Sequence, residues 1–520
     1  MAALHGCFCS LLVACWTLAL GVAHAADADD GTESTLRAIR EYRAQQRERI
    51  FAELFELLEI PNVASDSLNI RRNAEHLVSM LESRGVETQL LETEGAPPVV
   101  FGHLRVAAAR RTVVFYAHYD GQPADAAGWQ SEPWRPVLRD GALFAGAKVR
   151  PRELLHGDVD PEWRIYARSA SDDKSPIVAL LTALDALRAA GREPSVNLKF
   201  FFEGEEEAGS PHLDSLLRAH AALLQADVWL FCDGPIHQSG RPQVVFGVRG
   251  VIGLEMTSYG PARPLHSGHY GNWAPNPIAI LSECLAGMRT ADGRVLIAGF
   301  YDDVRARSAA EREALAAVPA VEERLRAELS LAATEADGAR LMDRLMLPAM
   351  NLRGIEAGRV GSEAKNAIPT EARASIDFRL VPEQQPERVR QVVEAHLREH
   401  GYQIVHARPD DAARRRHPRT LLLEWDSGYP AFRTPMDRPV SRAVVECIEA
   451  ALGDVVRIPT LGGSLPLHLF HRNLNAPVIV VPMVNHDNNQ HAADENLRIQ
   501  NFWDGIDMYA MLMARLGEVW

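Results

Sequence analysis

Short apolar runs that end in a histidine or a cluster of acids recur along this chain, and that pairing limits its fold more than any other feature of the sequence. Residues 112–117 (TVVFYA) lead into His118 and Asp120, residues 196–202 into Glu203, Glu205, Glu206 and Glu207, residues 227–231 into Asp233, and residues 476–483 into a segment carrying His491. Apolar runs of roughly four to eight residues read as buried strands. Between them lie helical patterns at 36–60, 69–84, 175–190 and 213–224. In the first, Leu36, Ile39, Ile50, Phe51, Leu54, Phe55 and Leu58 fall mainly three or four apart, and Pro61 ends the pattern. Strands alternating with helices predict an α/β domain with a largely parallel sheet, in which function collects in the loops beyond the strand C-termini.

The texture changes near residue 244. A strand pair at 244–248 and 250–260 leads to a Pro/Gly-rich loop, a helix at 278–288, a charged helical stretch at 309–335, a strand at 372–380 and a helix at 386–400. The simplest reading is an α+β segment inserted into the α/β domain. Arg414 to Arg416 read as a solvated loop.

Composition narrows the class. Asp and Glu number 69 against 55 Lys and Arg, a net charge of -14, which argues against nucleic-acid binding. The first 25 residues hold no Asp, Glu, Lys or Arg, and the apolar run from Phe8 to Val22 ends in Ala23-His24-Ala25. This reads as a secretory signal peptide cut after Ala25, giving a secreted or periplasmic protein with no membrane contact after cleavage. An uncleaved anchor and a lipoprotein signal at Cys15 are the other readings. Beyond the leader only Cys232, Cys284 and Cys447 remain, too few and too scattered for a disulfide framework or a Cys metal site. Cys232, beside Asp233, reads as a small buried hydrophobe.

Each polar cluster has a bland explanation by itself. His118 and Asp120 are a common i,i+2 pair, and Asp172-Asp173 before a helix is a plausible N-terminal cap. Four carboxylates at one strand end repel unless a cation compensates them. Together they are harder to dismiss, because one sheet brings imidazoles and carboxylates to a single edge. Nitrogen and carboxylate donors without thiolate suit two Zn²⁺ or related ions bridged by a carboxylate, with Mn²⁺ or Co²⁺ also compatible.

AHYDGQP, SASDDKSP, EGEEEAGS, CDGP, PLHSGHYG, IDFRLVP, LGGSLP and HAADE, in that order, resemble the metallopeptidase family of carnosinase-type dipeptidases, aminoacylase, glutamate carboxypeptidase and succinyl-diaminopimelate desuccinylase. The resemblance spans about residues 36–520 and is closest to the carnosinase-like branch. It implies His118, Asp172 and Asp233 as ligands of one ion, and Asp172, Glu207 and His491 as ligands of the other. It further implies Glu206 as general base, Asp120 as the carboxylate orienting the site, and His266 as an oxyanion donor, in many relatives from a partner subunit. Arg379, Gly463 and Ser464 correspond to the groups holding the substrate's terminal carboxylate, and Asn366 lines the cleft.

The implied organisation is a signal peptide (1–25), a two-metal α/β catalytic domain in two parts (36–245 and 383–520) and an inserted α+β lid and dimerisation domain (246–382). The implied activity is hydrolysis of dipeptides or short peptides with a free C-terminal carboxylate. Deacylation of N-acyl amino acids by the same site, and a non-catalytic metal-stabilised binding protein, are the alternatives. Two departures stand out. Ala167-Arg168-Ser169 and Ser175 replace glycines usual in relatives, and residues 146–164 are extra, an expected modifier of substrate range. His269 and His486 are read as non-ligands.

Overall fold

The computed structural model describes residues 31–157, 159–336 and 338–520, and the leader expected at 1–25 lies outside them. The chain forms two compact units. The first runs to Val244 and takes in Asp437–Val455 and Ile479–Trp520; the second comprises Val245–Met436 and Val456–Val478.

In the first unit the strands lie in the order Glu87–Leu91, Val99–Leu104, Asn197–Glu203, Thr112–His118, Val228–Phe231 and Val478–Val480. Thr112–His118 is parallel to both of its neighbours, and Val99–Leu104 is antiparallel to both of its own. The parallel register sets His118 opposite Glu203, so two of the expected polar strand ends emerge side by side. Aromatic residues fasten this region: the Tyr116 ring stacks on Phe231 at 4.0 Å and on Phe201 at 5.9 Å, and Trp229 meets Phe201 edge-on at 5.3 Å. Such pairs add stability beyond their buried area and hold the strand ends in fixed relation.

The helix Lys174–Ala189 is buried almost all round and packs against Ile499–Val519. Its first residue, Lys174, is fully buried and donates to the carbonyls of Leu57 and Ile60, both at 2.8 Å, at the C-terminus of the helix Arg47–Leu58. A hydrogen-bond donor suits that end, where carbonyls lack helical partners, and burial pushes the Lys174 amine well below its ordinary pKa. A smaller antiparallel sheet orders Asn496–Arg498, Arg164–Tyr166, Val137–Arg139 and Val149–Arg150. Its last strand comes from the extra segment 146–164.

The second unit is built on a sheet ordered Ala349–Glu356, Glu371–Leu380, Gly250–Tyr259, Thr420–Trp425 and Gln403–Val405, antiparallel except for the last pair. Its core includes Leu254, Met256, Ile376 and Phe378 from the strands, with Leu281 and Leu285 of helix Pro277–Met288 and Val393 and Leu397 of helix Pro386–Glu399. This unit therefore takes in more chain than residues 246–382, because the strands at 403–405 and 420–425 complete its sheet.

Several local expectations change. Arg414 to Arg416 lie in the helix Asp411–Arg416 and not in a loop, and the run 213–224 breaks at His220 into Leu213–Ala219 and Ala221–Leu224. The runs at 244–248 and 250–260 do not pair with each other: Gly247–Val248 pairs with Phe432–Arg433, and Gly250–Tyr259 with two other strands. Only Arg249 separates them, too little chain to reverse direction. The stretch 309–335 is two short helices, Ala309–Ala317 and Glu322–Glu328. Pro319 holds the preceding Val318 out of the helical region, at φ -60° and ψ 130°. The first helix is likewise interrupted, at Gln46.

Candidate metal centre

Two triads of ligand atoms assemble in the first unit, each with its atoms within 4.8 Å of one another: His118, Asp172 and Asp233; and Asp172, Glu207 and His491. Asp172 belongs to both. Its Oδ1 lies 2.9 Å from His118 Nε2, and its Oδ2 lies 3.1 Å from His491 Nε2. His491 Nε2 is also 3.2 Å from Glu207 Oε2. One carboxylate thus turns a separate oxygen to each of two groups of donors.

Local structure explains how each residue arrives there. His118 ends a buried strand, and Asp233 follows the strand Val228–Phe231 after one residue. Glu207 lies in the single turn Glu206–Ala208 after Asn197–Glu203. Asp172 precedes the helix Lys174–Ala189 and is joined to Asp173 by a cis peptide bond. Asp173 stands at the cap position but makes no side-chain cap bond. Its Oδ2 instead accepts the His118 amide at 3.3 Å, and its buried Oδ1 has no hydrogen-bond partner. The capping explanation for that acid therefore fails.

Asp120 is fully buried and organises the neighbouring turn. Its Oδ1 accepts the Glu206 amide at 3.1 Å, its Oδ2 accepts the Glu207 amide at 3.0 Å, and His118 Nδ1 lies 3.4 Å from Oδ1. One acid thereby orients a ligand, His118, and sets the turn that presents Glu206 and Glu207. The loop from Arg168 to Asp172 is closely packed. Asn62 Nδ2 donates to Ser169 Oγ at 2.9 Å, and a side chain at Gly121 would collide with that hydroxyl. Two polar neighbours went unnoticed in the sequence: Gln122 Nε2 donates to Glu207 Oε2 at 2.9 Å, and Gln490 Nε2 to Asp172 Oδ2 at 3.3 Å. Gln122 sits inside AHYDGQP and Gln490 immediately precedes HAADE, but nothing in the sequence distinguishes them from adjacent polar residues.

The electrostatics show an excess of buried negative charge. Burial, then the charge of Asp172, pushes the Asp233 carboxyl up to about 7. Burial, with Asp233 and Asp172 nearby, holds Glu206 well above the usual carboxylate range. Burial also opposes ionisation of Asp172, yet hydrogen bonds from His118 and His491 keep its carboxyl low. His491 is raised to about 10 by its bonds to Asp172 and Glu207. Carboxylates this close, with an orphaned oxygen on Asp173, fit divalent cations, and the N/O donor set carries no thiolate. Cys232 is buried and free, its thiol pushed up by burial. Among the described residues His269 and His486 belong to neither triad.

The remaining expected residues lie in the second unit. Arg379 Nε donates to Asp377 at 2.7 Å and its Nη1 to Ser464 Oγ at 3.0 Å, while the Gly463 carbonyl accepts the Arg249 amide at 3.2 Å. His266 and Asn366 are exposed neighbours: the strand Leu265–His266 pairs with Ala367–Ile368, and the Ser267 amide donates to the Asn366 carbonyl at 2.9 Å. Two subsets are thus brought together there, Arg379 with Ser464 and His266 with Asn366.

A largely parallel α/β sheet with two His/Asp/Glu triads that share Asp172 in its loops defines a two-metal site of the kind that hydrolases use. The model of Peptidase family M20/M25/M40 matches residues 154–515, and the chain belongs to that family. It is 26% identical over 496 residues to the Cys-Gly metallodipeptidase dug1 of Schizosaccharomyces pombe, covering 91% of this chain and 97% of that protein. It is 24% identical over 429 residues to the human Beta-Ala-His dipeptidase, covering 81% and 78%. Among solved structures it resembles the M20 family metallo-carboxypeptidase Sso-CP2 from Sulfolobus solfataricus, with a TM-score of 0.72, 28% identity and coverage of 90% and 99%. Human carnosine dipeptidase 1, at 22% identity and a TM-score of 0.70, shares the fold over 93% and 99%. Among the described residues no helix is long and apolar enough to cross a membrane.

Proposed function

We propose that the protein is a metal-dependent dipeptidase that hydrolyses the amide bond of dipeptides or short peptides bearing a free C-terminal carboxylate. The observation that carries this reading is Asp172, shared between two triads beside a retained Glu206. Dipeptidase relatives matching over most of this chain support it.

His118, Asp172 and Asp233 would hold one divalent ion, and Asp172, Glu207 and His491 the second. Zinc is the ion proposed, with manganese and cobalt compatible with the same donors. Bound there, the ions would polarise the substrate carbonyl and make water acidic enough to attack at neutral pH.

The chain's own groups do the rest. Glu206, presented by the Asp120 clamp on its amide, accepts the proton of the attacking water and returns it to the leaving amine. Asp120 keeps the His118 ring oriented. Arg379, steadied by Asp377 and bonded to Ser464, is assigned the terminal carboxylate together with Gly463, since a planar guanidinium matches that group. His266 is assigned the developing oxyanion and Asn366 the cleft wall, with the second unit acting as lid and as the interface of a homodimer. Residues 1–25 are assigned as the leader of a secreted or periplasmic protein.

The test is a hydrolysis screen of dipeptides against N-acetyl amino acids, with and without chelator. Chelator-sensitive dipeptide cleavage is the expected result. Glu206→Gln should lower kcat by about 10²- to 10⁴-fold while metal content is unchanged. Retained turnover in that variant refutes the general-base assignment, and cleavage confined to N-acetyl amino acids refutes the dipeptidase reading.

A further inference from the structure

His491 and Asp172 approach the centre from segments far apart in sequence, and a single buried acid joins the two segments. Glu495, fully buried, follows His491 by four residues. Its Oε1 accepts the Ser171 amide, the Ser171 hydroxyl and the Asp172 amide, each at 2.9 Å. Its Oε2 accepts the Ser169 amide at 2.9 Å and Arg168 Nη1 at 2.8 Å. Five donors saturate a carboxylate, which offers about four lone-pair sites. All but one of them come from Ser169, Ser171 and Asp172 themselves.

The surrounding backbone aims Glu495 at this loop. Asn496–Arg498 pairs antiparallel with Arg164–Tyr166, placing Asn496 opposite Tyr166, and the Ala167 amide donates to the Glu495 carbonyl at 3.1 Å. The strand after Glu495 is thus zipped to the strand before the Asp172 loop. The loop needs such restraint. Ser169 has φ 60°, a left-handed conformation disfavoured for a residue with a Cβ. A glycine would adopt it freely, and this chain has none at 167–169. On the other arm, Asn489, His491 and Asp494 have φ of 57°, 61° and 59°. Asn and Asp tolerate that region, but Ser169 on one arm and His491 on the other hold it only where the surrounding structure fixes it.

We propose that Glu495 is a positioning residue of the metal centre, locking the Asp172 loop to the His491 segment so that the carboxylate shared by the two triads is preorganised. It is not a ligand and touches no reacting atom; it acts through the Asp172 amide and the Ser169 turn. The proposal rests on the two-metal reading above. Arg168 supplies the compensating charge and is itself held over the Trp129 ring at 5.1 Å, so removing Arg168 disturbs the same ion pair without freeing the Asp172 amide from its acceptor.

The experiment titrates Zn²⁺ into the metal-stripped protein by calorimetry for the wild type, Glu495→Gln and Arg168→Met, with the Tm of each measured in parallel. Glu495→Gln is expected to weaken Zn²⁺ binding about 10- to 100-fold, while Arg168→Met stays within about threefold of wild type despite a comparable fall in Tm. Wild-type affinity in Glu495→Gln, or equal losses of affinity in both variants in step with Tm, overturns the positioning role. A wild type that binds no Zn²⁺ overturns the metal reading itself, so the two failures are told apart. Should Glu495→Gln not fold, Glu495→Asp keeps the charge but withdraws its oxygens by one methylene. It is judged against Arg168→Met by the same two outcomes.

Discussion

Buried acids in the two units sit in opposite electrostatic surroundings. In the first unit Asp233 lies among other carboxylates, and burial followed by the charge of Asp172 drives it up to about 7. In the second unit Glu311 is also buried but ringed by donors: Arg305 Nη2 at 2.5 Å, the Ser308 amide at 2.7 Å and Arg433 Nη1 at 2.9 Å. Burial alone would raise Glu311 as well, yet those partners bring it down to about 2. The same chemical group is therefore self-sufficient in one place and short of cations in the other. A buried acid already matched by arginines is part of the framework, whereas a cluster of unmatched acids with histidines is built to receive charge from outside.

Breaking the first half of that contrast should have the largest effect. Asp172→Ala removes the carboxylate common to both triads and should abolish two-metal binding, lowering kcat/KM on the order of 10⁴-fold or more; metal analysis and kinetics on one sample check it. Chelation of the wild type should likewise remove activity and lower Tm, with both restored by Zn²⁺, Mn²⁺ or Co²⁺, because an ion that binds only the folded state stabilises it. If the stripped protein melts at the wild-type temperature, the first unit is not short of cations after all.

A smaller loss is expected at Arg379. Arg379→Met should raise KM for free-carboxylate dipeptides by about 10- to 100-fold and leave amidated peptides unchanged, the size expected from one charge-assisted hydrogen bond. Equal effects on both substrates remove the carboxylate assignment.

The other half of the comparison is tested at Glu311. Glu311→Gln should destabilise the protein by about 3 kcal/mol at neutral pH, since it leaves buried guanidinium groups uncompensated, with little change in metal affinity. The folded carboxyl lies below its ordinary value of 4.5, so its contribution is complete above that pH. It should fade as the pH falls from 4.5 towards 2, and the stability difference between wild type and variant should shrink over that window. Denaturant midpoints measured across it provide the check. The smallest expected change in metal binding follows deletion of Lys148 to Pro161: losing the edge strand Val149–Arg150 and buried Leu155 lowers Tm, while metal binding persists and the ranking of dipeptide substrates shifts.

Much of the site was legible in the sequence because its signals are local. An apolar run followed by His118, Glu206 or Asp233 marks a strand end by covalent spacing alone, whereas the SASDDKSP and HAADE segments stand out only through their resemblance to a known family. Other features were hidden. Gln122, Gln490 and Glu495 look like ordinary polar residues until their partners are known, and Ser169 gives no sign of a left-handed turn. The runs at 244–248 and 250–260 read as a pair because alternation carries no record of which strands meet.

The sequence by itself determined which residues are available for chemistry and at which strand ends they emerge, since periodicity and turn signals act over a few neighbouring residues. Only the tertiary structure decided that Asp172 turns one oxygen to His118 and the other to His491, and that Glu495 closes on the amide of Asp172. Those relations depend on strand register and on the packing of segments hundreds of residues apart, which no local pattern encodes.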